Sequence, residues 1–198
     1  MNSSRAHFLI LCFNLLYFIP FTFYYFASGN LEFLWYSAVL AAAGILVWMT
    51  LPRTGFGPVI LGGLSLWGLM HMAGGSVPAG KGVLYNVILL PLVNQGELQV
   101  VRFDQVVHFF GFGTCTLIGN HLLKPHLKDP LHDRVPGFFL VMIGMGFGAL
   151  NEIVEFAAVL AVPKTGVGGY ENTALDLVAN ALGALAAVFL VRLKPALR

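Results

Sequence analysis

Seven polar residues stand in otherwise apolar surroundings: His71, Asp104, His108, Glu152, Glu155, Asp176 and Asn180. Their spacing is regular. Asp104 and His108 are four residues apart, Glu152 and Glu155 three apart, and Asp176 and Asn180 four apart. On a helix each such pair shares a face, so three faces and His71 can enclose a polar pocket. Four carboxylates with few nearby bases cannot all be ionised in a low-dielectric site. Either some hold protons or a cation neutralises them. Asp104, His108, Glu152, Glu155 and Asp176 are the candidate catalytic groups, with His108 or Glu152 as general base. His71, Arg102 and Asn180 are the candidate substrate-binding groups. A divalent metal ion is one candidate cofactor. His71, Asp104, His108, Glu152, Glu155 and Asp176 are the side chains that would ligate it, since carboxylate and imidazole suit Zn²⁺, Mn²⁺ or Fe, and Mg²⁺ favours the carboxylates.

Each of these residues also has an ordinary role open to it. His71 can cap a helix end beside Gly74 and Gly75, and Asp104 can complement a helix N-terminus. Glu155 can reach an interface, and Asp176 and Asn180 can hydrogen-bond neighbouring helices. Glu152 is hardest to explain this way, because it lies deepest.

The elements that must position these groups follow from composition. Of 198 residues, 58% are apolar and 10% charged, against about 25% charged in a soluble domain. The mean hydropathy is +0.80. A water-soluble globule, a disordered chain and a nucleic-acid-binding protein are excluded, the last by a net charge of only +2 without a dense basic stripe. Cys12 and Cys115 lie in apolar runs and imply no disulfide framework. The expectation is an all-α polytopic membrane helix bundle, a single integral membrane domain over residues 1–198. Its six transmembrane helices fall near Phe8–Ala27, Leu31–Thr50, Phe56–Met72, Phe103–Leu123, Gly137–Val162 and Thr173–Val191. Ser28–Asn30 and Pro52–Gly55 read as tight turns, and Gly144 and Gly148 as a close helix contact within the chain. The segment 73–101 opens at the Gly pair, and its apolar run Val83–Val93 is too short to span. It reads as an interfacial helix or re-entrant piece on the outer face, a lid.

Charge placement tests the span count. With six spans, Arg5, Arg53, Lys124, Lys128, Arg134, Arg192, Lys194 and Arg198 share one side, and Lys81, Arg102 and Lys164 share the other. The positive-inside rule then makes both termini cytoplasmic, in a plasma (inner) membrane. Seven of the nine acids, Glu32, Glu97, Asp104, Glu152, Glu155, Glu171 and Asp176, fall in the outer half. Helical rise places Glu152 roughly 21 Å along its span, in a core of about 30 Å. By the same count His71, Asp104, His108, Glu155, Asp176 and Asn180 all lie in the outer third. His121, His126 and His132 fall at the cytoplasmic end.

Three stretches carry a family resemblance: Arg102–Gly113 (RFDQVVHFFGFG), Asn151–Phe156 (NEIVEF) and Glu171–Ala187 (ENTALDLVANALGALAA). They resemble the VanZ-like family and the related YjdF-like membrane proteins in Asp-x-x-x-His-Phe, an acidic or amide pair, and Asp-Leu-x-x-Asn-x-x-Gly. His71–Gly75 followed by Leu84–Leu92 is similar to the YjdF-like branch. The resemblance covers about His71–Ala187. It departs at Glu155, where some VanZ-like members carry Gln. It implies a cell-envelope setting and marks the positions already singled out, without supplying a reaction. Three function classes stand open. One is a metal- or carboxylate-dependent enzyme acting on a membrane lipid or lipid-linked envelope precursor. The second is a cation- or proton-linked binder or carrier of lipid or small solute. The third is a structural partner subunit. A carrier needs access from both sides, and the inner halves of the spans are almost wholly apolar, with Asn14 and Asn120 the main exceptions. The enzyme reading is therefore ranked first.

Overall fold

In the computed structural model the described residues are 3–95, 98–127 and 134–193. Glu97, Lys128, Asp129, His132, Asp133, Lys194 and Arg198 lie outside them. Six long helices are present: α1 (Ser3–Ser28), α2 (Leu31–Thr54), α3 (Pro58–Ser76), α4 (Phe103–Leu123), α5 (Arg134–Ala161) and α6 (Tyr170–Leu193). All six are long and apolar enough to cross a membrane. Large apolar side chains such as Leu16, Phe23, Met49, Phe156 and Phe189 are exposed along them. That outward-facing pattern suits a hydrocarbon solvent, where every backbone group must be satisfied within its own helix.

Helix ends follow local chemistry. The Asn30 side chain accepts from Phe33 N–H at the start of α2. Pro52 does not end α2 as the sequence suggested. The helix runs on to Thr54, and Gly55 closes it in the left-handed conformation at φ 62°. The pair Gly74 and Gly75 does not open a loop either, because α3 continues to Ser76. The pair is small because aromatic rings occupy its surface. A Cβ on Gly74 would lie 2.6 Å from the Tyr85 ring, and one on Gly75 would enter the Phe33 ring.

The segment after α3 is extended, not helical. Strands β1 (Pro78–Ala79) and β2 (Gly82–Val83) form a minimal antiparallel hairpin whose turn contains Gly80 at φ 59°. A short 3₁₀ turn, Leu84–Asn86, follows. Strands β3 (Ile88–Gln95) and β4 (Leu98–Arg102) form a second hairpin, pairing Val93 with Val100 and Ile88 with Arg102. The register shifts between Ile88 and Val93. Pro91 lies inside that interval, and its ring nitrogen has no hydrogen to donate to a ladder. Val83, Val87, Ile88 and Val93 are β-branched and favour extended backbone.

The chain divides into two compact units: Met1–Val87 with Phe156–Val167, and Ile88–Glu155 with Gly168–Arg198. In the first unit α1 packs on α3, and buried Tyr25, Phe33, Tyr36 and Met72 form its core. Tyr25 Oη donates to the Met72 carbonyl. An apolar cavity of about 610 Å³ lies among α1, α2 and α3, with Asn14, Tyr17 and Ser65 in its wall.

In the second unit α4 and α6 are in the closest contact. Gly183 faces the Phe109 carbonyl so tightly that an added Cβ would lie 2.8 Å from the carbonyl carbon, and a Cβ on Gly113 would lie 3.1 Å from the Gly183 carbonyl oxygen. Helix backbones thus touch, as small residues allow in membrane bundles. Gly144 and Gly148 of α5 are used within this unit. Gly144 abuts Thr116 and Ala184, and Gly148 abuts the Asn180 side chain. Leu140, Val141, Ala184, Val188 and Val191 form the apolar floor. Strand β4 leads directly into α4 and packs against α4 and α6.

Candidate functional site

The polar groups of the second unit meet around one imidazole. His108 sits in the second turn of α4, with 5% of its surface exposed. Its Nε2 lies 3.9 Å from Asp104 Oδ1 on the same helix and 3.8 Å from Glu155 Oε1 on α5. Its Nδ1 lies 3.1 Å from Asn180 Oδ1 on α6 and 3.7 Å from Glu152 Oε1 on α5. Each spacing seen in the sequence has a structural counterpart. One turn of α4 brings Asp104 alongside His108, and one turn of α5 puts Glu152 and Glu155 on opposite ring nitrogens.

Asp176 and Asn180 complete the site from α6, and both are fully buried. Asp176 interacts electrostatically with Asp104, Glu152, Glu155 and Arg102. Two sets of ligand atoms lie within 4.8 Å of one another: Asp104, His108 and Asp176; and His108, Glu152 and Glu155. Both sets share His108. Asp176 Oδ1 and Glu152 Oε1 are buried and have no hydrogen-bond partner among the described residues. A buried, unpaired carboxylate oxygen is costly, so such atoms call for a proton or a cation.

Two residues escaped the sequence reading as members of the site. Asn172 Nδ2 donates to Asp176 Oδ2 at 2.6 Å, and Asn151 Nδ2 donates to Glu155 Oε1 at 2.8 Å. Each amide precedes its acid by four residues, the same helical spacing that picked out Asp104 and His108. That signal was available to find them. Asn172 holds Asp176 by Oδ2 and leaves Oδ1 without a hydrogen-bond partner among the described residues, whereas Asn151 holds Glu155 by Oε1, the oxygen that faces His108 Nε2.

Arg102 is the residue immediately before α4. Its backbone N–H donates to the Gln105 side chain at 3.1 Å, and its Nε is buried without a hydrogen-bond partner among the described residues. His71 belongs to the first unit. There its Nδ1 is hydrogen-bonded to Tyr85 Oη at 2.6 Å, and its ring lies edge-on to Tyr36 with centroids 5.4 Å apart. Six of the eight sequence-derived site residues, Asp104, His108, Glu152, Glu155, Asp176 and Asn180, are thus gathered on His108, and Arg102 acts on Asp176 through its charge.

Six helices of spanning length and a buried acid–histidine cluster on three of them define a polytopic membrane protein with an internal polar site. The chain belongs to the family described as "Predicted membrane protein (DUF2238)", whose model matches residues 9–195. No curated protein and no solved structure matches it.

Proposed function

We propose that this protein is a membrane-embedded enzyme whose site in the second unit acts on the polar part of a lipid or lipid-linked cell-envelope substrate. One observation carries this reading. Four carboxylates from three helices converge on a buried histidine, and in two of them, Glu152 and Asp176, a buried oxygen has no hydrogen-bond partner among the described residues. A helix bundle pays heavily for such groups within hydrocarbon, which makes intramembrane acids functional by default. A purely structural role predicts that these oxygens be satisfied by neighbouring helices.

The chain's own groups divide the work. Glu152 Oε1 lies 3.7 Å from His108 Nδ1 and has no hydrogen-bond partner among the described residues, and so can take a proton from a substrate hydroxyl or water. Asp104, Glu155 and Asp176 hold positive charge, either protons or a metal ion, that stabilises negative charge developing on the substrate. Arg102 at the mouth of α4 suits an anionic headgroup. The β3–β4 hairpin, which runs straight into Arg102, is the access-controlling element. The motif resemblance to VanZ-like and YjdF-like proteins supports an envelope setting. The distribution of Lys and Arg supports a plasma-membrane protein with both termini cytoplasmic and the site in the outer leaflet.

Comparative lipid profiling tests the proposal. Cells lacking the chain are complemented with wild type, Asp104→Asn, Glu152→Gln or His108→Ala, with membrane levels of each variant matched. The expected result is a lipid species that accumulates in the deletion and clears only with wild type. Identical profiles across all four complementations would refute an enzymatic role.

A further inference from the structure

We infer that the cluster is a divalent-metal centre in which His108 binds through Nε2, Asp104, Glu155 and Asp176 supply carboxylate ligands, and Asn180 is the positioning residue that fixes the imidazole. The inference deepens the proposed function and rests on the same site.

The histidine ring sorts its neighbours into two sides. Nδ1 faces Asn180 Oδ1 at 3.1 Å, within hydrogen-bond range, so the Nδ1–H donates to the amide oxygen. Nε2 is then the nitrogen with a free lone pair. The groups facing it are Asp104 at 3.9 Å and Glu155 at 3.8 Å, too long for hydrogen bonds and of a length that an interposed cation closes. Asp176 joins from α6, its ligand atom lying within 4.8 Å of those of Asp104 and His108. The independent pointer to a ligand is Asp176 itself. It is wholly buried, held through Oδ2 by Asn172, and Oδ1 has no hydrogen-bond partner among the described residues.

The supporting contacts have the form of a metal site's outer shell. A ligating histidine usually gives its second N–H to an oxygen that sets its tautomer, and ligating carboxylates are themselves hydrogen-bonded. Asn180 does the first for His108, while Asn151 and Asn172 do the second for Glu155 and Asp176. Gly148 is required for this arrangement, because a Cβ there would strike the Asn180 amide. Three carboxylates and one imidazole form a hard, mixed O/N donor set that suits Mn²⁺, Fe²⁺ or Zn²⁺, as in carboxylate–histidine bundles. Glu152 lies on the Nδ1 side of the ring, away from the ligand nitrogen. That position, against the N–H side of the imidazole, leaves it as the proton acceptor.

The full chain, purified in detergent and stripped with chelator, is titrated with Mn²⁺ and followed by electron paramagnetic resonance. Wild type is expected to bind about one Mn²⁺ per chain, with one imidazole nitrogen coupled in the spin-echo envelope. His108→Ala is expected to lose that coupling. Asp104→Asn and Glu155→Gln, near-isosteric and at partly accessible positions, are expected to lose Mn²⁺ binding while keeping the wild-type elution volume and helical circular dichroism. Asn180→Ala is expected to weaken Mn²⁺ by about 10–100-fold. Folded wild type that binds neither Mn²⁺ nor Zn²⁺ stoichiometrically would overturn the metal centre. The lipid profile of Glu152→Gln would still judge the enzymatic role separately. Unchanged affinity in Asp104→Asn and Glu155→Gln would overturn the ligand set, and unchanged affinity in Asn180→Ala would overturn the positioning role.

Discussion

Replacing Gly183 by Ala tests the geometry on which the site depends. The new Cβ would lie 2.8 Å from the Phe109 carbonyl carbon, whereas carbon atoms in contact sit about 3.5–4.0 Å apart. Neither atom belongs to a flexible side chain, so α4 and α6 must separate by about 0.7 Å or more. Gly183 is one turn beyond Asn180, and Phe109 adjoins His108. The same displacement would stretch the His108–Asn180 hydrogen bond from 3.1 Å to about 3.8 Å, outside bonding range. Overpacking costs about 1–3 kcal/mol and the lost bond about 0.5–1.5 kcal/mol. Together they make a loss of about 2–4 kcal/mol, or a fall of about 4–16 °C in the melting midpoint. Thermal unfolding in detergent, followed by far-ultraviolet circular dichroism, reads this directly. Gly146→Ala is the control, because a Cβ there meets nothing within 4 Å. It should be neutral, or stabilising by about 0.5–1 kcal/mol through helix propensity. A Gly183→Ala protein that melts with wild type, or above Gly146→Ala, would refute the close α4–α6 approach.

Three further outcomes are expected. Gly75→Ala should cost about 1–3 kcal/mol by driving a methyl into the Phe33 ring, and Phe33→Leu in the same chain should recover part of the loss, as a double-mutant cycle of melting midpoints would show. Strictly additive losses would count against that contact. Asn172→Ala removes the donor to Asp176 Oδ2 and should destabilise by about 1.5–3 kcal/mol, whereas Asn172→Asp should be at least as harmful because it sets two acids against each other. In a cysteine-free background, single cysteines at Lys81 and Lys124 should react with an impermeant thiol reagent from opposite faces of the membrane, with Lys81 labelled in intact cells. Labelling of both from one face would remove the orientation assigned from the basic residues.

The spans were legible because hydrocarbon thickness demands about 20 apolar residues whatever the fold, and α2, α4 and α6 begin within three residues of where apolar runs begin. Asp104, His108, Glu152, Glu155, Asp176 and Asn180 were legible for a related reason. In a chain with 10% charged residues, acids within spans stand out, and helical spacing assigns them to faces. Depth along a span gives a level but no partners, and the hydrogen bond between His71 and the Tyr85 hydroxyl is a contact that spacing does not announce. Asn151 and Asn172 carry no charge, so a search for acids and histidines within spans passes them by. Their partners are on their own helices. The strands β1 to β4 were hidden because a short apolar run such as Val83–Val93 has no period that separates strand from helix.

The split of the site over α4, α5 and α6 also bears on how the chain enters a bilayer. Each helix emerges from the ribosome carrying its own share of the acids: Asp104 on α4, Glu152 and Glu155 on α5, Asp176 on α6. An acid near the centre of an isolated helix costs about 2.5–3.5 kcal/mol on insertion scales, and less toward the ends. None of these helices can offer its acid the full set of partners found in the folded unit, because His108 and Asn180 are separated by 72 residues of chain. Insertion of this half is therefore expected to be concerted, with α4 and α5 waiting in a protected or water-filled channel until α6 arrives. The order of synthesis makes α6 the closing piece, and a chain truncated before Tyr170 should be recognised as unfinished by membrane quality control.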